Sequence, residues 1–347
     1  MSGTDERRQA GPHGQDTETR TTVWVALAAN LAISVAKAIG GIVAGSPALL
    51  SEAAHSIADS LNEVFLLASL KRSRRPADAR HPFGYGMERY FWSLLAAVGI
   101  FVTGGCFSVF QGIEAFRSGG NETRHGYVIG LAVLVISLAA EGASLVRAVL
   151  QVRRAARQGG RSMAAEIKAG HDPALRTVLA EDTTACVGVL LAIAGIALHM
   201  ATGEIAYEAC ASILIGILLV YVAYTLGRAA RTQLVGEAAD PAVQRQVRAF
   251  LLEQPEIDTV TALLTMRMAP DSVMAAARID LTPGYDSETL EDAMVRIRSE
   301  VRGRWPELDQ VFLDITDVAA TRRGAAADGH PAPAPGAHAA PGEHGTG

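Results

Sequence analysis

Six apolar stretches, near 22–44, 48–70, 90–116, 126–150, 174–200 and 204–227, alternate with short polar intervals along the chain. A helix needs about 20 residues to cross a hydrocarbon core, and each stretch is long enough. After Gly236 the pattern becomes that of a water-soluble domain. Helical spacing over Pro241 to Glu253 gives way to two strands, Val260 to Met268 and Val273 to Leu281, around an Ala-Pro-Asp-Ser turn. A second helix over Ser287 to Arg304, with Ser287 as its N-cap, and a last strand at Val311 to Ile315 complete the series. This order predicts a small α+β domain with both helices on one face of a sheet.

The expected organisation is therefore a tail over 1–20, a six-helix membrane domain over 21–232, a soluble domain over 236–320 and a tail over 321–347. The first tail lacks the apolar centre and small-residue cleavage site of a signal peptide. The last mixes Ala, Pro, Gly and His and cannot bury enough apolar surface to fold; His330, His338 and His344 could gather metal only weakly.

Charge assigns the topology. Gly45 to Pro47 and the stretch around Gly203 carry no Lys or Arg, whereas Lys71 to Arg89 and Arg147 to Arg176 are densely basic. The positive-inside rule then puts both termini of a multi-pass membrane protein in the cytoplasm. Trp24 at the start of the first span, and Tyr90, Phe91 and Trp92 at the start of the third, suit that interface. The net charge is −5 and the cations cluster between apolar blocks, so nucleic-acid binding is a poor fit. Cys106, Cys186 and Cys210 lie in apolar runs without metal-binding spacing and read as buried small hydrophobes. Ala36, Gly40, Gly41 and Gly45 give small-residue spacing for close helix packing.

Polar residues inside the spans carry the chemistry. An ionisable side chain at a helix centre in hydrocarbon costs at least ~2.5–3.5 kcal/mol, so it faces an interior site. On the second span His55 and Asp59 are four residues apart, which places imidazole and carboxylate on one helix face. One nitrogen and one oxygen make half of a site for zinc or a similar borderline ion; the alternative is a His–Asp hydrogen bond that locks helices together. The fifth span supplies adjacent Glu181 and Asp182 at comparable depth, of which one coordinates and the other pairs or packs, since neighbours on a helix point about 100° apart. Glu141 on the fourth span is a ligand, a proton relay or a helix-to-helix hydrogen-bonding group. Lys37, Glu52 and Glu63 lie nearer the span ends, where solvated roles are expected.

Three segments, Ser46 to Glu63, Arg80 to Leu94 and Leu179 to Gly188, resemble the cation diffusion facilitator (cation efflux) family, in particular the branch of the mitochondrial zinc transporter and its bacterial relatives. The resemblance runs from about Val23 to Asp317. It implies a homodimer in a bacterial cytoplasmic membrane, with six spans and a cytoplasmic ferredoxin-like domain, exporting a divalent metal, zinc first, against protons by alternating access. No cofactor and no enzymatic activity are expected. The resemblance assigns the ion to His55 and Asp59 with Asp182 or Glu181. This chain departs from members with His-xxx-Asp on the fifth helix: Val178 precedes Asp182 by one turn, and Ala185 follows Glu181 by one. The resulting oxygen-rich set leaves room for manganese, iron or cobalt. A non-transporting membrane metal sensor is the rival from another class, and an intramembrane metalloenzyme lacks an HExxH-type motif. In the soluble domain no histidine falls between His199 and His330, and Asp314 is the nearest remnant of a metal site, so dimerisation without metal is expected. His81 opens the HPFGYG loop, for metal capture or for loop ordering.

Overall fold

The computed structural model describes residues 12–118, 124–158, 162 and 173–316. The expected tail over 321–347, with its three histidines, lies outside the described residues, as does the first part of the expected N-terminal tail. The described residues fall into two compact units, one up to Lys71 and from Tyr90 to Arg231, the other from Arg72 to Arg89 and from Thr232 onward.

Six long helices make the first unit: α1 (Pro12–Ala44), α2 (Pro47–Ser73), α3 (Glu88–Ser118), α4 (Arg124–Gln158), α5 (Pro173–Thr202) and α6 (Ala206–Gly236). Helix α1 starts inside the stretch expected to be a tail, because no proline interrupts the chain between Pro12 and Pro47 and proline is tolerated at a helix start. Four of the helices carry a stretch long and apolar enough to cross a membrane, within Glu88–Ser118, Gly126–Arg154, Leu179–Thr202 and Ala206–Leu252. In α1 the apolar segment Asn30–Ala44 is shorter, and α2 is interrupted by Glu52, His55, Asp59, Asn62 and Glu63.

Leu49, Leu134, Val189, Ile196, Ile215 and Leu219 build one core between α2, α4, α5 and α6. The outer surface is apolar too. Ile42, Val128, Ile136 and Tyr221 are exposed, as helices facing hydrocarbon would be. A turn at Gly45, whose φ of 69° favours glycine, joins α1 to α2. A side chain at Gly41 would strike Leu50, so the small residues of α1 do permit close approach. Helix α3 carries a π-helical stretch at Ile100–Cys106, where Gly104 and Gly105 lie against Leu219 and Val220. Cys186 is buried, but Cys106 and Cys210 are exposed, contrary to the reading of all three as buried; their positions on α3 and α6 face outward.

The second unit has its own core. Helix α7 (Pro241–Leu252), β1 (Ile257–Ala269), β2 (Ser272–Leu281), α8 (Ser287–Arg304) and β3 (Gln310–Ile315) follow in the expected order. The sheet runs β1-β2-β3, antiparallel then parallel. Period-two alternation sends Val273, Ala275, Ala277 and Ile279 inward, onto Phe250 and Leu251 of α7 and Ile297 and Val301 of α8. Asp240 caps α7 with Pro241 at its first position. Helix α8 is capped by Asp286, which accepts from the Thr289 amide at 2.8 Å, rather than by Ser287. The capping position falls one residue earlier because Asp286 holds the extended backbone that a cap requires.

Candidate metal centre and its polar neighbours

Four-residue steps place Ser51, His55 and Asp59 along one face of α2. His55 Nε2 lies 3.5 Å from Asp59 Oδ2, with the histidine buried and the aspartate a third exposed. This is an ion-pair distance rather than a close hydrogen bond, and neither ring nitrogen of His55 has a hydrogen-bond partner.

An adjacent face of α2 carries Glu52 and Ser56, which meet Lys37 of α1. Its ammonium lies 3.0 Å from Glu52 Oε2, 2.9 Å from Ser56 Oγ and 3.0 Å from Glu141 Oε1 of α4. Lys37 and Glu52 are fully buried, which corrects the expectation of solvated roles near the span ends. The tight turn at Gly45 explains it: Lys37 and Glu52 stand at similar heights on either side, so the hairpin presses them together below the surface. Glu141 also accepts from Ser137 of its own helix at 2.9 Å, and its bond with Lys37 is of the helix-to-helix kind among its three candidate roles. Glu63 likewise accepts from Asn30 of α1 at 2.7 Å.

On α5 the adjacent carboxylates diverge. Glu181 accepts from Asn62 of α2 at 2.7 Å. Buried Asp182 Oδ2, Glu52 Oε1 and Glu141 Oε2 have no hydrogen-bond partner. Among the described residues, no three His, Cys, Asp or Glu side chains converge in a group that could hold a metal ion. The structure thus pairs His55 with Asp59, and turns Glu181 toward Asn62. Sequence reasoning missed Asn62 and the role of Lys37.

His81 is held in a local network outside the helices. Asp78 accepts from the backbone amides of Arg80 and His81 at 2.9 and 2.8 Å and from the Tyr85 hydroxyl at 2.7 Å. The His81 ring packs on Tyr85 with centroids 4.2 Å apart, and Arg75 lies over the same tyrosine. Phe83 meets Phe312 of β3 edge-on, and Gly86 abuts Ala269. These contacts order the loop around His81. In the same unit Asp314 accepts from Arg278 at 3.0 Å across the β2–β3 pair.

A bundle of long helices with apolar outer faces, enclosing a histidine, an ammonium and several carboxylates, is that of an integral membrane protein. The family model for the cation efflux transmembrane domain matches residues 23–235, and the chain belongs to the cation diffusion facilitator family, a family of transporters. It is 33% identical over 268 residues to metal tolerance protein C4 of Arabidopsis thaliana, covering 76% of this chain and 58% of the relative. The mitochondrial proton-coupled zinc antiporter SLC30A9 of Homo sapiens is 28% identical over 296 residues, 85% of this chain and 50% of the antiporter. A shorter match, 35% over 80 residues, covers 23% of this chain and 25% of the magnetosome protein MamM of Magnetospirillum gryphiswaldense. The chain spans about half the length of the first two relatives.

Proposed function

We propose that this chain is an efflux transporter that carries a divalent transition metal, zinc by preference, out of the cytoplasm in exchange for protons. The observation that carries the reading is His55: buried, unpartnered at both nitrogens and set beside Asp59 in a bundle of the cation efflux family. A buried polar group left unsatisfied costs about 1–3 kcal/mol, and a bound cation removes that cost for the imidazole and the nearby carboxylate oxygens together. An imidazole lone pair takes either a metal or a proton, and it titrates near physiological pH, so the two cargoes exclude each other at one atom. The name of the human relative, a proton-coupled zinc antiporter, supports the same exchange.

In this reading six spans place both termini in the cytoplasm of a bacterial inner membrane. His55 and Asp59 bind the ion with Asp182, or with Glu181 once it leaves Asn62; helices then rock, and protonation on the far side releases the ion. The αββαβ unit is ferredoxin-like and makes the homodimer through the outer face of its sheet, where Leu264 and Phe312 are exposed. The oxygen-rich ligand set supports a second reading of cargo, in which manganese, iron or cobalt is carried instead. Reconstitution into proteoliposomes containing a metal dye and a pH dye, run against all four ions, tests both. Zinc uptake with opposite proton movement is the expected result. Binding without flux for every ion would turn the assignment to a membrane metal sensor.

A further inference from the structure

A second buried polar cluster lies at the end of α2 away from Ser73. Glu208, near the start of α6, is fully buried, and its Oε1 lies 2.8 Å from Nδ1 of His199, near the end of α5. The Ser46 hydroxyl, just before α2, donates to the other carboxylate oxygen of Glu208. From α4 the Tyr127 hydroxyl lies 3.0 Å from His199 Nδ1 and 3.2 Å from Nε2. A carboxylate and an imidazole buried inside a membrane bundle are costly, and such residues in spans mark ion or proton paths.

One turn along α6 from Glu208 stands Ser212, and its hydroxyl shares a hydrogen bond with that of Ser51 on α2. Ser212 also bonds the Ser108 carbonyl of α3 at 2.8 Å, and Ser51 the Pro47 carbonyl at 2.9 Å. One further turn along α2 is His55, whose ring nitrogens are buried and unpartnered. The polar groups therefore form a seam: His199, Glu208, Ser212, Ser51, His55. The two steps along a helix rise about 6 Å each, a gap that a single bridging water spans.

We propose that His199 and Glu208 form the proton-entry station of the antiport, and that Ser212 and Ser51 relay the proton to the metal site. This rests on the antiport reading. A proton from the far side is taken up on the His199–Glu208 pair. Each serine then accepts one proton on a lone pair and gives up its own, so the seam ends with one proton on the imidazole of His55 and none lost on the way. The pair is faced by the Ser46 hydroxyl from the start of α2 and the Tyr127 hydroxyl from α4, while the Ser108 carbonyl of α3 faces Ser212. These hydroxyls and this carbonyl are neutral at physiological pH.

The test uses the full chain in proteoliposomes, with zinc on one side and pH varied on the far side. Wild-type zinc flux is expected to rise as the far side is acidified. Glu208→Gln and His199→Gln are expected to keep zinc affinity in detergent within twofold while losing at least tenfold in flux, and to show a flat far-side pH profile. Ser212→Ala, which removes only the relay hydroxyl and keeps the fold testable if Glu208→Gln does not, should likewise lose flux and flatten the far-side pH profile. A purely structural latch would lower flux at every pH and leave the profile's shape unchanged. A Glu208→Gln protein with the wild-type profile overturns the proton station but leaves antiport standing. A wild type whose flux ignores far-side pH overturns antiport and the station with it. Loss of a second equivalent of bound zinc in Glu208→Gln would make the cluster a metal site and also overturn the proposal.

Discussion

Lys37 Nζ lies 3.0 Å from Glu52 Oε2, and both side chains are completely shielded from solvent. A second carboxylate, Glu141 Oε1, stands at the same 3.0 Å distance from the ammonium, so one cation ties α1 to α2 and α4. Removing one member of a buried pair leaves an uncompensated charge and costs about 3–5 kcal/mol, whereas removing both is far milder. Lys37→Met is therefore expected to lower the unfolding midpoint in detergent sharply. The double variant Lys37→Met with Glu52→Gln should recover much of the loss. Thermal unfolding followed by size exclusion reads the cycle. Additive losses in the double variant would mean that the two residues are not coupled.

His55→Ala and Asp59→Ala are each expected to abolish metal flux while the protein inserts and elutes as the wild type does. Their shared face on α2 and 3.5 Å separation make each insufficient alone. Flux at the wild-type rate in a folded Asp59→Ala protein would remove this pair from the transport site.

Ligand type orders the affinities of these ions, so changing the donor set should reorder them. Asp59→His adds an imidazole and is expected to favour zinc over manganese. Asp182→Ala withdraws an oxygen of the proposed ligand set and is expected to weaken manganese more than zinc. Competition uptake with mixed ions measures the ranking, and an unchanged order in both variants would count against direct coordination.

Much of this arrangement could be read from the chain alone, for identifiable reasons. Elements follow periodicity and punctuation: the strands predicted at Val260 to Met268 and Val273 to Leu281 lie within β1 and β2, and the six apolar stretches coincide largely with α1 to α6. The His55–Asp59 pair was legible because both residues sit on one helix, where spacing fixes direction. Lys37 was not, because position along a span says nothing about which neighbour covers it. The pairing of Asn62 with Glu181, and of Glu208 with His199 and Ser46, joins distant segments, and no local period reports such contacts. Asp286 and Ser287 are both good caps, so the one-residue error at α8 lay within what capping chemistry resolves.

The 72–89 loop should respond to acid. Bonds from the Tyr85 hydroxyl and the His81 amide hold the Asp78 carboxyl below its ordinary value of 3.8. A lowered folded value means that the carboxylate stabilises the loop fully above the ordinary range and loses that contribution as pH falls through the lowered one. The same bond raises the Tyr85 hydroxyl, so its contribution is complete below the ordinary tyrosine value of 10.0 and is lost as pH rises beyond it. Limited proteolysis of the loop should therefore be slow at neutral pH and quicken toward pH 3. Asp78→Asn should be cut at neutral pH as the wild type is in acid. Equal cutting of the two proteins at neutral pH would remove Asp78 from the loop's ordering.

The unit after Gly236 holds a core that draws on no metal ligand. Phe250, Leu251, Val273, Ile279, Ile297, Val301 and Leu308 pack between two helices and three strands. Asp314 is engaged by Arg278, and the segment contains no histidine. The outward face of the sheet is apolar in part, with Leu264 63% and Phe312 47% exposed, which gives a second copy a surface to cover. A fragment from Gly236 to Asp317 is therefore expected to be folded and dimeric with or without EDTA, since a metal-dependent fold would lose its binding energy, and hence its structure, to the chelator. Leu264→Asp should weaken the dimer and leave the circular dichroism spectrum intact. Sedimentation measures association and circular dichroism measures folding. A chelator that produced monomer or unfolded chain would show that Asp314 and its neighbours bind metal; a dimer unaffected by Leu264→Asp would move the interface off this face.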